Sequence, residues 1–176
     1  MQEHLRLLKD LTVLIVEDDE IARELLIGGL KPYCLSVWGA ADGLEGLERF
    51  KKLAPAIVIT DIHMPAMNGF EMMKEMIRIK PVQKFIVFTS YDTDDNLIKS
   101  IEHGAASFLK KPVDIAALCR LLVALTYEKD EEFVYENELS SKGAIQNVVL
   151  RLKRELGVRF KNISESGYIM LSGDQI

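Results

Sequence analysis

The chain is predicted to form a doubly wound α/β domain: a five-stranded parallel sheet in the order 2-1-3-4-5 with helices on both faces, followed by a short C-terminal helix and hairpin. Three observations lead there. Short apolar runs rich in β-branched residues alternate with amphipathic stretches five times, the pattern of strands buried on both faces by crossover helices. Chemistry-bearing side chains stand at the ends of those runs, and open α/β sheets bind their ligands in the crevice beyond the strands' carboxyl ends. Finally, 176 residues with 48% hydrophobic content can bury one substantial core and leave an appendage over.

The first strand, Val13 to Val16, runs straight into Glu17, Asp18 and Asp19. A helix then begins at Glu20, with Ile21, Leu25, Leu26 and Leu30 at helical spacing, and stops near Lys31-Pro32, where proline cannot continue it. Leu35 to Trp38 reads as the second strand. Asp42 is a candidate N-cap, Glu45 three residues on completes a capping-box pattern, and Leu44, Leu47 and Phe50 form the expected buried stripe of the second helix.

Ala56 to Thr60, after Pro55, is the central strand and ends at Asp61. Pro65 and Asn68-Gly69 turn the chain away, so the Asp61 carboxylate is left open to solvent. Phe70, Met73, Met76 and Ile77 make a third helix before Pro81, with the methionines as adaptable core filling. Phe85 to Phe88 is the fourth strand and leads to Thr89-Ser90. A fourth helix is expected from Asp92 through Leu97, Ile98 and Ile101 to His103-Gly104, where glycine suits a left-handed terminal residue. Ser107 to Leu109 is the fifth strand, followed by Lys110-Lys111-Pro112. Asp114 caps the last helix, which carries Ile115, Leu118, Leu121 and Leu122 to about Tyr127.

The strand order brings the first and third strands together at the switch point, and with them Glu17-Asp18 and Asp61. Carboxylates held close repel one another and raise each other's pKa, so the cluster calls for a cation. Oxygen-only donors favour magnesium over zinc. With a hydroxyl from Thr89-Ser90 and an ammonium from Lys110-Lys111 at the same edge, the set suits phosphoryl transfer to a carboxylate.

These residues carry a resemblance. The acid pair Glu17-Asp18, the run D-I-H-M-P-A-M-N-G from Asp61 to Gly69, Thr89, and F-L-K-K-P from Phe108 to Pro112 resemble, in order and spacing, the response-regulator receiver domains of two-component signalling, which are CheY-like and of flavodoxin-like fold. The likeness spans about two thirds of the chain. It implies that Asp61 accepts a phosphoryl group from a sensor histidine kinase. Asp18 and Asp61 would hold Mg2+ directly, Glu17 through a water, and the backbone carbonyl of His63 would add a further ligand. Lys111 would pair with the phosphoryl oxygens, after a Lys111-Pro112 bond expected to be cis. Thr89 would hydrogen-bond the phosphoryl group, and Phe108 would turn inward as the switch aromatic; the alternative is that Phe108 is a plain core residue in both states. The expected protein is a phosphoacceptor switch and not a turnover enzyme.

Two other classes fit less well. A phosphatase of the haloacid-dehalogenase type also uses a strand-end aspartate and magnesium but wants a second aspartate two residues on, where His63 stands. A flavin-binding module wants a phosphate-cradling loop after the first strand, where acids stand instead.

Residues 1–127 are read as the receiver domain, 128–139 as an acidic linker, and 140–176 as a truncated winged-helix-like segment. The linker has six acids against Lys129, and the last part has six cations against three acids. Ile145, Val148, Val149, Leu152 and Leu156 form a helical stripe closed by Gly157, and Arg159 to Ile163 with Tyr168 to Leu171 read as a hairpin. RLKREL and KNISESGYIML resemble the recognition helix and wing of winged-helix response regulators, with Arg151, Lys153 and Arg154 as the DNA-contacting residues. The leading part of such a domain has no room. Three readings of the tail stay open: a shortened effector for protein or self contact, a DNA binder acting as a dimer, and a vestigial remnant. Cys34 and Cys119 are expected to be structural thiols of a reducing cytoplasm, and no apolar run reaches membrane-spanning length.

Overall fold

The computed structural model describes residues 5–89, 99–100, 103–127, 132–135, 159–164 and 167–171. A 3-10 turn, Arg6–Asp10, precedes β1 (Thr12–Val16), α1 (Glu20–Leu30), β2 (Ser36–Ala40), α2 (Gly43–Leu53), β3 (Ile57–Thr60), α3 (Gly69–Ile79), β4 (Lys84–Thr89), β5 (Ala105–Lys110) and α4 (Ile115–Tyr127). The five strands pair in parallel in the order β2-β1-β3-β4-β5, as expected. Of the helix expected from Asp92, only Lys99 and Ser100 are described, and both are helical. Gly104 has φ 81°, the left-handed terminal conformation anticipated there.

Side-chain alternation along the strands divides the core into two layers. Val13, Ile15, Ile57, Ile59, Ile86 and Phe88 face one side, with Leu26, Leu30, Leu118 and Leu122 of α1 and α4. Leu14, Val16, Val58, Phe85 and Val87 face the other, with Phe50 of α2 and Met72, Met73 and Met76 of α3. β5 breaks phase: Phe85 pairs with Ala105 and Ile86 with Ser107, so Ala106 is an extra residue. That bulge sends Phe108 to the α2–α3 side, where it pairs with Val87 and is 8% exposed.

Several expectations need correction. Ile21 and Leu25, assigned to the first helix's apolar pattern, are 74% and 67% exposed, and the buried positions are Leu26 and Leu30. Leu44, expected in the buried stripe of α2, is 51% exposed; the helix instead turns Gly43, Gly46 and Phe50 inward, because it packs closely on Met67, Met72 and Val16. Leu35 lies outside β2 and is exposed. Cys34 and Cys119 are free thiols that pack in or against the α1–α4 layer, and burial raises the pKa of both, that of Cys34 to about 11.

Beyond Tyr127 the described residues form β6 (Glu132–Tyr135), β7 (Arg159–Ser164) and β8 (Gly167–Leu171), an antiparallel sheet in the order β6-β8-β7. The anticipated hairpin is present as β7 and β8, and a strand occupies part of the run read as linker. The tail helix, with Arg151, Lys153 and Arg154, lies outside the described residues. Among the described residues no helix is long and apolar enough to cross a membrane.

Helix starts are capped by side chains. Asp42 accepts from Glu45 N at 2.9 Å, but the Glu45 carboxylate reaches one residue further than a capping box, to Ala41 N at 2.7 Å. That bond holds the Glu45 carboxyl below the usual carboxylate range, with Arg49 assisting. A group whose folded pKa is lowered stabilises the fold above its unfolded value, about 4.3 for Glu, and loses that contribution as pH falls through the folded value. Glu45→Gln is therefore expected to destabilise by on the order of 0.5 kcal/mol at neutral pH, after allowance for solvent screening. In urea melts across pH, the gap from wild type should close below the usual Glu range.

Candidate functional site

β1 and β3 are neighbours, and Val16 pairs with Thr60, so the residues following them emerge side by side. Asp61 N donates to Val16 O and Glu17 N to Ala40 O, both at 3.0 Å, which ties the ends of β1, β2 and β3 together. Carboxylate oxygens of Glu17, Asp18 and Asp61 all lie within 4.8 Å of one another. Glu17 is 1% exposed, and Asp61, expected to be open to solvent, is only 7% exposed because Lys111 and the backbone of Ile62 close over it; Asp18 is the acid that faces solvent. The strand pairing thus assembles the three acids that sequence spacing singled out.

Lys111, just after β5, reaches across to them. Its Nζ lies 2.5 Å from both Asp61 Oδ2 and Glu17 Oε2 and 4.8 Å from the centre of the Phe88 ring. The Lys111-Pro112 bond is cis. Asp61 Oδ1 accepts from Ile62 N at 2.5 Å, with His63 N further off at 3.4 Å. Glu17 Oε1 accepts from Asp19 N at 3.2 Å, and the buried Oε2 is ion-paired with Lys111. Three carboxylates gathered around one ammonium leave negative charge unmatched, and their all-oxygen donor set fits a hard divalent ion.

Electrostatics follow from burial. Desolvation pushes the Glu17 carboxyl above its ordinary value, with Asp61 adding repulsion and the Lys111 ammonium offsetting only part. Burial alone would lower Lys111, but its contacts with Asp61 and Glu17 outweigh that and raise it, so the ammonium stays charged.

The loop after Asp61 is shaped by close backbone approach. A Cβ on Gly69 would stand 2.1 Å from Asp61 O, so only glycine fits as Gly69 N donates to Ile62 O at 2.9 Å. Asn68 and Glu71 form a complete capping box at the start of α3. That pattern was legible in the sequence and went unread. Ala66 takes φ 64° in the same loop.

Other expected residues are placed with less detail. Thr89 closes β4 and pairs with Lys110, which sets it at the same sheet edge; its side chain lies outside the described residues. Phe108 is inside the core and not at the surface. The His63 backbone follows Asp61 closely, and its side chain is exposed. One contact was not anticipated: Arg23 of α1 donates from Nη1 to the Glu17 backbone carbonyl at 2.6 Å.

Removing Lys111 leaves two buried carboxylates facing each other without a cation. Lys111→Met is expected to cost about 2–4 kcal/mol at neutral pH in the presence of a chelator, measured by urea denaturation. Because the folded state holds the Glu17 proton more tightly than the unfolded chain does, the loss should shrink as pH falls into and below that raised range.

Comparison with known proteins agrees with this geometry. The model of the response regulator receiver domain family matches residues 13–123. The chemotaxis protein CheY of Thermotoga maritima is 39% identical over 101 residues, covering 57% of this chain and 84% of that protein. A cyclic di-GMP phosphodiesterase of the same organism is 36% identical over 108 residues, 61% of this chain but only 29% of that protein. Among solved structures, the N-terminal domain of an uncharacterized protein from Wolinella succinogenes superposes with a TM-score of 0.64 at 37% identity, covering 68% of this chain and 96% of that one. From β1 to the last turns of α4, the chain belongs to the response regulator receiver domain family.

Proposed function

We propose that this chain is a phosphoacceptor switch that takes a phosphoryl group from a histidine kinase onto Asp61. The observation that carries the reading is the Asp61 carboxylate held between the acid pair Glu17-Asp18 and the Lys111 ammonium, at the open edge of the sheet. Asp61 attacks the phosphorus of a phosphohistidine, the P–N bond breaks, and the imidazole leaves with a proton, giving an acyl phosphate. Asp18, Asp61, Glu17 and the His63 carbonyl would hold a magnesium ion, which when bound supplies positive charge against the repulsion between carboxylate and phosphoryl group. Lys111 gives up Asp61 Oδ2 and pairs with the new phosphoryl oxygens as a point charge. Thr89, at the end of β4, is the proposed hydrogen-bond donor to the same group, and Phe108 the aromatic whose packing responds.

The donor's docking surface is proposed to be α1. Ile21 and Leu25 lie one turn apart on this helix, which starts at the acid loop, and both are solvent-exposed, an apolar pair suited to a helical partner. The output is proposed to be a contact of the switched receiver with a protein partner or a second copy. The DNA-binding reading of the tail rests on Arg151, Lys153 and Arg154, outside the described residues.

Incubation with acetyl phosphate and Mg2+ should add one phosphoryl group to wild type by intact mass and none to Asp61→Asn; an equal adduct on both would sink the assignment. A double variant Ile21→Ser/Leu25→Ser should slow transfer from a phosphorylated histidine kinase by roughly tenfold, as for loss of an apolar anchor pair. Its rate with acetyl phosphate, which needs no docking surface, should stay at the wild-type value.

A further inference from the structure

From the contacts around Glu17 we infer that Arg23 is a positioning residue for the cation site, clamping the peptide that presents Glu17 and Asp18, and that Gly39 leaves room on β2 for its side chain beside that of Ile27. The inference rests on the cation-assisted reading of the site given above.

The β1–α1 loop has three residues to bring two acids into place, and hydrogen bonds hold it on both sides of Asp18. Glu17 N donates to Ala40 O at 3.0 Å, which anchors the near side of the loop to β2. Asp19 holds the far side: its side chain caps α1 through Ala22 N at 2.9 Å, and its carbonyl accepts from Arg23 N at 2.9 Å. The Glu17 carbonyl lies between these two anchors. It is met by Arg23 Nη1 at 2.6 Å, from a side chain that starts one turn into α1 and folds back over the loop. Asp18 thus sits between two clamped neighbours.

The route taken by that side chain passes a glycine. Gly39 lies inside β2, paired with Ile15, where a side chain would ordinarily add packing. A Cβ there would stand 3.1 Å and 3.3 Å from Cδ and Cγ of Arg23 and 2.8 Å from Ile27 Cδ1. The missing side chain leaves room for Ile27, the nearest neighbour, and beside it for the Arg23 stem. Without the guanidinium, the half-buried Glu17 carbonyl loses its donor and the loop can rotate, carrying Asp18 and the Glu17 carboxylate out of register with Asp61.

A general stabilising role would lower melting temperature without touching cation affinity. The test is therefore Mg2+ titration by calorimetry on the whole chain, paired with melting in chelator. Arg23→Met, which keeps the apolar stem and deletes the donors, should weaken Mg2+ binding by roughly tenfold, the size expected for a residue that orients ligands. Arg23→Lys should recover part of it. In acetyl phosphate labelling, the Mg2+ concentration for half-maximal rate should rise by the same factor while the rate at saturating Mg2+ changes less. Gly39→Ala, which crowds Arg23 as well as Ile27 while keeping every polar group, should weaken binding in the same direction by a smaller factor, and the part of that effect carried by Arg23 should vanish in an Arg23→Ala background. Unchanged Mg2+ affinity in both Arg23→Met and Gly39→Ala would overturn the inference alone. A wild-type chain that binds no Mg2+ would overturn the reading of the site and this inference with it.

Discussion

Two carboxylates that avoid water, Glu17 and Asp61, are held at the ends of adjacent strands, and the arrangement stands only because Lys111 lies between them. Like charges out of water are among the least tolerable contacts a fold can make. Here the ammonium comes from 50 residues further along than Asp61, on the far side of two more strands, so the site is complete only once β1, β3, β4 and β5 have all paired. The same constraint gives the site its responsiveness. Any group that brings positive charge to the acids, or takes Lys111 away from them, changes the balance that holds the sheet's open edge.

The loops at that edge are built for rigidity. After β3, Gly69 allows its own backbone to press against Asp61 O, and the Asn68–Glu71 capping box starts α3 at once. After β1, Asp19 caps α1 and Arg23 meets the Glu17 carbonyl. In both places hydrogen bonds to the backbone fix the residue bearing the carboxylate, while the Asp18 carboxylate between them stays open to solvent.

The two faces of the sheet differ in character. The α1–α4 layer is filled by Ile, Leu and Val, whereas the α2–α3 layer holds Met72, Met73 and Met76 together with Phe85 and Phe108. Unbranched thioethers repack more readily than β-branched side chains. The aromatic nearest Lys111 in sequence therefore lies in the more adaptable of the two layers, and the bulge at Ala106 is what puts it there.

Much of this was legible in the residues themselves. The β-branched runs ending in acids, the turn at Asn68-Gly69, the caps at Asp42 and Asp114 and the cations before Pro112 each act through local physics, a strand's burial or a helix terminus, so order and spacing pointed to Glu17, Asp18, Asp61 and the pair Lys110-Lys111, and the family resemblance chose Lys111. Helical spacing could not tell that Ile21, Leu25 and Leu44 face water, since which side of an apolar stripe is buried depends on the angle at which a helix crosses the sheet. Nor could it show the bulge that turns Phe108, because an extra residue in β5 is defined only against its partner strand. Arg23 was silent for the same reason. A guanidinium reaching a backbone carbonyl six residues back, past a glycine on another strand, exists only when α1 and β2 are packed together.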